Sequence, residues 1–514
     1  MEPIKSKPGR RPRRAAVLGA RVRRGLAGLG AIVVVAAGLA RAVAGSPGGA
    51  AQVALHSDPT GVLGVYTDAS RAQPANPFFR SLGTNGRSCA TCHQPAQALG
   101  LSASYARSVY ARSGGNDPLF APIDGANCPE VAAGEVGGHS LLLKYGLIRV
   151  AMKVPRNAEF TISVVHDPYG CALRPDAATG ALIVSVYRRP LPAANLRFLS
   201  AVMFDGRQTV APLDDPATFA QNLHADLVSQ ARDATLTHAQ ASSAPTSAEL
   251  DAIADYESSL YAAQTVDRDA GPLTADSAFG GPLWLASQTY YPGINDSLGG
   301  DPGGNAFSAA AMRIFGNWAP DGDADDASRP AAARTAIAAG ERIFDSFPLR
   351  IMHVRGLNDN PAMGAPPVIV GTCTTCHDAP NVGDHSLPLP LDIGTSHATL
   401  GGAEPDPTIA AALAELSEPD LPVFRISGCP DPFGAGVPAS FYTTDPARAL
   451  VTGKCSDLDR GKGPVLRGLA ARAPYFHNGA AATLGEVVDF YDRRFEMGLS
   501  DSQKKQLVAF LNSL

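Results

Sequence analysis

Low-complexity blocks, long apolar runs and excess positive charge are all missing from the body of this 514-residue sequence. Without low-complexity tracts, the 52 Gly and 42 Pro point to long ordered loops rather than disorder. After residue 40 no stretch is apolar enough to cross a bilayer, so no stable membrane span is expected once a leader has been removed. Positive charge is scarce too. Residues 1–44 hold ten of the 43 Lys/Arg and one of the 48 Asp/Glu, which leaves 33 basic against 47 acidic residues, near −14. That balance excludes nucleic acid and anionic membranes as partners and suits a small cationic redox protein. What is present is a globular composition, 45% hydrophobic and 18% charged, on a chain long enough for two or more domains with real cores.

The N-terminus reads as an export signal. Arg10, Arg11, Arg13, Arg14, Arg21, Arg23 and Arg24 form a basic segment, residues 25–40 an apolar one, and Ala42-Val43-Ala44 a small-residue cleavage site. Residues 1–44 are thus expected to be a signal peptide and the mature chain to be soluble and periplasmic. An uncleaved anchor is the alternative, since Arg41 stands between the apolar run and the cleavage site.

Cysteine is sparse, at eight residues. Cys128, Cys171, Cys429 and Cys455 stand alone; in an oxidising compartment such residues pair, and proximity joins Cys128 to Cys171 and Cys429 to Cys455, although the sequence does not prove it. The other four fall in Cys89-Ala90-Thr91-Cys92-His93 and Cys373-Thr374-Thr375-Cys376-His377, both C-x-x-C-H. Two thiols at this spacing can add to the vinyl groups on one porphyrin edge, and the adjacent histidine swings under the ring to ligate the iron. Composition alone would give about 0.003 such matches. A four-cysteine zinc site would leave both histidines unexplained, and a thioredoxin-like pair wants a βαβ context that is missing. Two covalently bound haem c groups are expected.

The predicted fold class is mainly α, with two cytochrome-c-like haem domains and a small β-rich insertion in the first. The boundaries are 45–300 for the N-terminal haem domain with its insertion and 301–514 for the C-terminal cytochrome c domain. Stretches 141–150, 160–165 and 181–187 read as strands of one small sheet. Segments 216–239, 249–264, 330–346 and 500–514 read as helices, the last behind a capping Ser500 or Asp501. Residues 271–329 look like a linker.

The C-terminal end carries Gly463-Pro464-Val465-Leu466-Arg467-Gly468-Leu469, then Arg472-Ala473-Pro474-Tyr475-Phe476-His477-Asn478-Gly479, Thr483-Leu484 and Val487-Val488-Asp489-Phe490-Tyr491. Together with Phe204-Asp205-Gly206-Arg207 and the two haem motifs, this resembles the bacterial di-haem cytochrome c peroxidase and MauG superfamily over residues 77–514. The resemblance implies that His93 is the proximal ligand of a peroxide-reacting haem and His377 that of an electron-transferring haem. Tyr491 stands where the family places the second ligand of the latter, Met in typical peroxidases and Tyr in MauG. A phenolate favours ferric or higher states, whereas a thioether favours ferrous iron. The alternative is that Tyr491 is a core aromatic and Met497 binds iron.

Val109 stands where many resting peroxidases of the family carry a distal His, and none occurs between His93 and His139, which implies an open iron. Proton movement between peroxide oxygens needs a distal group. By resemblance these are Gln230, in Leu227-Val228-Ser229-Gln230-Ala231, and His238, since the family's acid about ten residues on is missing; Gln240 lies nearby, and Gln221 is the alternative glutamine. His477 reads as a polar group beside the second haem or as a satisfied buried histidine. Phe204 replaces the family's tryptophan. The resemblance also implies calcium between domains, bound through backbone oxygens near Ala473-Pro474, where Arg472 replaces the usual Thr. Three functions remain: a peroxide-reacting oxidoreductase fed by a small periplasmic electron-transfer protein, a MauG-like oxidase of a protein or organic substrate, and a di-haem electron carrier.

Overall fold

Tyr261, Ala262, Ala263 and Gln264 are all buried in succession, a pattern that suits a central strand flanked on both sides and not a helix face. They open one of twelve strands in the computed structural model, which describes residues 52–514 except 68–74, 133, 200, 211–215, 312, 320–327, 379, 381, 383–388, 399–405 and 435–437. The expected leader lies outside the described residues. The strands are β1 (Gln52–Ser57), β2 (Gly61–Thr67), β3 (Ile148–Lys153), β4 (Thr161–His166), β5 (Leu173–Pro175), β6 (Leu182–Arg188), β7 (Tyr261–Asp267), β8 (Gly271–Pro272), β9 (Leu349–Ile351), β10 (Ile369–Gly371), β11 (Val423–Pro430) and β12 (Pro438–Thr443). The helices are α1 (Ala103–Ser113), α2 (Ser140–Tyr145), α3 (Pro216–Thr237), α4 (Ser247–Ser258), α5 (Pro282–Ala286), α6 (Arg329–Ser346), α7 (Pro407–Leu413), α8 (Ala449–Thr452), α9 (Leu484–Arg494) and α10 (Asp501–Asn512).

Among the described residues the strands make four sheets, in the orders β1-β2-β7-β8, β3-β6-β5, β12-β11-β4 and β10-β9. The three strands expected to share one sheet do not. β3 pairs with β6, but β4 crosses to β11, with Ile162 opposite Ile426. The reason is one-sided burial: Ile162 and Val164 pack on a core built from two distant stretches of the chain, including Met152, Val184, Phe424, Ile426 and Leu450. Residues 141–145 are helix and not strand, because Leu141 and Leu142 are buried and Gly146, at φ 67°, ends the turn. The helical reading of 249–264 likewise stops at Ser258, where β7 takes over.

The other helices fall where periodicity put them. Ser500 and Gln503 cap α10 reciprocally. Both expected disulfides are formed, Cys128–Cys171 with Cα atoms 6.0 Å apart and Cys429–Cys455 with Cα atoms 5.4 Å apart. The second packs into the core that receives β4.

Behind the second motif, α6 crosses α10 so closely that a Cβ on Gly340 would lie 2.0 Å from the carbonyl oxygen of Gln506. Phe344 and Phe510, 5.4 Å apart, fill the same contact. Backbone cannot yield as a side chain can, so Gly340→Ala is expected to lose about 1–3 kcal/mol. Gly485→Ala in α9, where a Cβ meets only Thr483 Oγ1 at 3.4 Å, should be neutral or slightly stabilising. Thermal midpoints of the two variants against wild type check this.

Candidate functional site

The two C-x-x-C-H segments share one local design. The first cysteine of each motif opens a 3-10 turn, Cys89–Thr91 and Cys373–Thr375, and the second, Cys92 or Cys376, caps its C-terminal end. A threonine at the turn's third position accepts a hydrogen bond from the backbone N–H ahead of it, Ser88 N to Thr91 Oγ1 at 3.0 Å and Thr372 N to Thr375 Oγ1 at 2.9 Å. The following histidine doubles back: His93 N–H donates to Cys89 O at 3.0 Å and His377 N–H to Cys373 O at 2.9 Å. A phenylalanine packs 6.3 Å from each imidazole, Phe78 on His93 and Phe344 on His377. These four cysteines stay free while the other four are paired. Burial holds the Cys92 thiol at about 11 and those of Cys373 and Cys376 at about 12. Burial also holds the His377 imidazole neutral, down to about 4, the form that binds iron.

His93 opens onto a cavity with about 1190 Å³ of empty space, partly open to solvent. Its ring Nδ1 lies 3.0 Å from the Leu99 carbonyl, which fixes the imidazole and leaves Nε2 for a ligand. One face of α3 and the turn after it supplies Gln230, Ala234 and His238 to the lining, so both expected distal residues share a chamber with His93. Asp124, 3% exposed, bonds both His238 Nδ1 and the Arg87 guanidinium. Burial alone would raise the Asp124 carboxyl, but His238 and Arg87 outweigh it and hold it low. Sequence reading missed Asp124 and Arg87, although the basic residue two positions before Cys89 was a visible cue. Gln240 is exposed, its amide oxygen bonded by Asn85 Nδ2, and the Gln221 side chain lies outside the described ones.

Val109 is buried against a cluster that includes Cys92, Phe120 and Leu142. His139 is fully buried, with Nδ1 2.8 Å from Gly125 O and its ring 5.2 Å from Phe120. Neither lines the cavity; Met203 and His477 do. His477 therefore faces the first motif's chamber. Its ring stacks on Phe204 at 4.6 Å and 9°, and Nε2 lies 3.3 Å from Ser396 Oγ.

At the second motif, α9 brings the Tyr491 ring to 6.5 Å from His377, at 74°. Burial, with the Cys376 and Cys373 thiols, raises the Tyr491 phenol. Met497 is buried in the same apolar cluster, 8% exposed, with its N–H on Asp492 O.

The residues at both motifs fit covalently held haem. Besides the free thiols and doubled-back histidines, each has a buried carboxyl with an orphaned oxygen, Glu257 at the first and Asp345 at the second, both raised to about 8 by burial. The turn expected to hold calcium does not fit that ion. The Arg472 carbonyl accepts from Arg189 Nη2 at 2.6 Å, and the Arg472 guanidinium fills the space beside Val465 O. A further group of ligand types, Asp392, His397 and Asp459, has donor atoms within 4.8 Å of one another. Arg355 Nε lies 3.8 Å from Asp392 Oδ2, so a fixed cation already serves that group.

Glu257 gives a pH test. Its proton is kept to about 8 in the folded chain but lost near 4.3 when unfolded, so stability falls as pH rises between those values. Glu257→Gln should match wild type near pH 4 and exceed it by roughly 1–3 kcal/mol at pH 8. Thermal midpoints at both pH values read the difference.

No protein-family model matches the chain. It is similar to the cytochrome-c peroxidase IdrP2 of Denitromonas iodatirespirans, 33% identical over 158 residues, 28% of this chain and 36% of that protein. It is also similar to the cytochrome-c peroxidase IdrP1 of Pseudomonas sp. (strain SCT), 28% identical over 156 residues, again 28% and 36% of the two chains. The cytochrome-c peroxidase IdrP1 of D. iodatirespirans is 38% identical over 69 residues, 11% of this chain and 18% of that one. The chain thus matches about a third or less of the length of these curated relatives. Over part of its length, this chain is similar to proteins named cytochrome-c peroxidase, and none of these three carries a MauG name.

Proposed function

We propose that this chain is an exported, periplasmic, peroxide-reacting oxidoreductase with two covalently bound haem c groups in two cytochrome-c-like domains. One observation carries the reading: two C-x-x-C-H turns of the same build, the first of which opens on a cavity lined by Gln230 and His238. Cys89, Cys92 and His93 would hold the first haem; Cys373, Cys376, His377 and Tyr491 would hold the second. When bound, such groups supply a redox-active iron that reacts with hydrogen peroxide and stores oxidising equivalents.

The chain's own residues would position the reactants and move protons. Asp124 keeps the proton on His238 Nδ1, which leaves Nε2 to take a proton from one peroxide oxygen and return it to the other. Gln230 offers an amide to orient the oxidant from the same face of α3. The net acidity of the mature chain suits a small cationic electron-transfer protein as the donor. A second reading, a MauG-like oxidase of a protein or organic substrate, is favoured by Tyr491 facing His377.

An EPR spectrum of the ferric protein tests the assignment. One high-spin and one low-spin haem are expected, and Tyr491→Phe should alter only the low-spin signal. Absence of covalent haem on a denaturing gel overturns the proposal, and two low-spin signals with no high-spin one return the chain to an electron carrier. Rapid peroxide consumption with a reduced cytochrome is expected of the peroxidase; its absence alongside oxidation of an organic substrate selects the oxidase.

A further inference from the structure

Two consecutive arginines follow opposite rules. Arg188 is buried against two carboxylates, Asp205 at 2.6 Å and Asp445 at 2.6 Å. Arg189 is also buried, at 9% exposed, yet among the described residues no carboxylate pairs with it. Its Nη2 instead donates to two carbonyls, Leu101 O and Arg472 O, each at 2.6 Å. Its backbone N–H donates to His477 O at 2.7 Å. Burial, then the nearby Arg472, lowers Arg189 only to about 9, so it stays charged at neutral pH.

Carbonyl oxygens from separate loops that converge on one buried positive centre make a cation site, and a carbonyl binds a cation through the same lone pairs whether that cation is a metal or a guanidinium. Here the centre is covalently part of the chain. The guanidinium holds the Arg472 end of the segment 472–477, while the Arg189 backbone N–H holds the His477 end, and both His477 and Arg189 line the first cavity. A dication added beside Arg189 and Arg472 would meet two like charges in a poorly screened setting.

We infer that Arg189 supplies from within the chain the positive charge that calcium would bring to the Arg472 carbonyl, so the wall segment carrying His477 is held in place without a divalent ion. The comparison with calcium comes from the family resemblance, but the inference does not need the peroxidase reading to hold, because its readouts are metal content and stability.

The test uses the full chain as purified. Wild type should contain no stoichiometric calcium, and its thermal midpoint should be unchanged by EGTA or by added calcium chloride. Arg189→Ala should lose several degrees in midpoint, and added calcium chloride or low guanidinium chloride should recover part of that loss while having no such effect on wild type. Arg189→Lys, which keeps the cation, should fold and stay insensitive to EGTA; it carries the test if the alanine variant does not fold. Calcium co-purifying at one per chain, or a wild-type midpoint that falls in EGTA, would overturn the inference. So would an Arg189→Ala variant as stable as wild type.

Discussion

A histidine directly after C-x-x-C can reach the face of a ring held by both thiols only if the backbone folds back on itself. Both motifs do so with one 3-10 turn, closed by the histidine N–H on the first cysteine's carbonyl and pinned by a threonine hydroxyl at the turn's third position. Everything proposed for this chain depends on that turn. It brings the histidine back against the first cysteine, while a phenylalanine from an upstream segment backs each imidazole. The same geometry arising twice, from different surrounding sequence, is hard to reconcile with a zinc site or a dithiol pair, neither of which needs the trailing histidine in that position.

Long Gly- and Pro-rich loops around such turns have few helical or sheet hydrogen bonds to hold them, and buried arginines take over that work. Arg494, fully shut from solvent, donates to the carbonyls of Ile393, Met352 and His353. Arg467 reaches Pro380 O, and Arg87 reaches Pro118 O and Leu119 O. A guanidinium has five donors in a rigid plane, so one side chain can satisfy carbonyls on several loop segments. Desolvating it is costly, and the pattern persists because orphaned buried carbonyls would cost as much or more. Arg189 belongs to this group, and its distinction is that it ties the cavity wall to the C-terminal signature.

The two C-x-x-C-H turns and both disulfides were legible because cysteine chemistry writes itself into spacing. The α6 and α10 helices were legible because an apolar stripe and a capping serine are local signals. The β4–β11 pairing was not, since 161–166 alternates in the same way whichever neighbour covers it, and the neighbour lies more than 250 residues away. Asp124 was invisible for a similar reason: its role comes from meeting His238 across 114 positions, which no spacing rule encodes. At the turn where calcium was expected, the sequence departs from the family pattern at Arg472, and the side chains found there fill the space with positive charge. The residue that takes the Arg472 carbonyl, Arg189, carried no mark in the sequence.

Phe204 shows how a single replacement constrains the chemistry that remains. Its ring lies flat against His477 at 4.6 Å, with the Arg188 guanidinium 5.1 Å from its centre. Neither a phenyl ring nor an imidazole next to a fixed positive charge gives up an electron easily. A tryptophan here could serve as a stepping stone between two haems; this stack keeps the packing and removes the step. Electrons would then cross by tunnelling through closely packed groups, whose rate depends on distance and not on an oxidisable residue. Under the proposed function, the residue that would complete the second site then becomes the main control on where oxidising equivalents rest. Burial beside His377 favours the neutral Tyr491 phenol, so under the proposed function only coordination that removes its proton would make this residue favour the oxidised side.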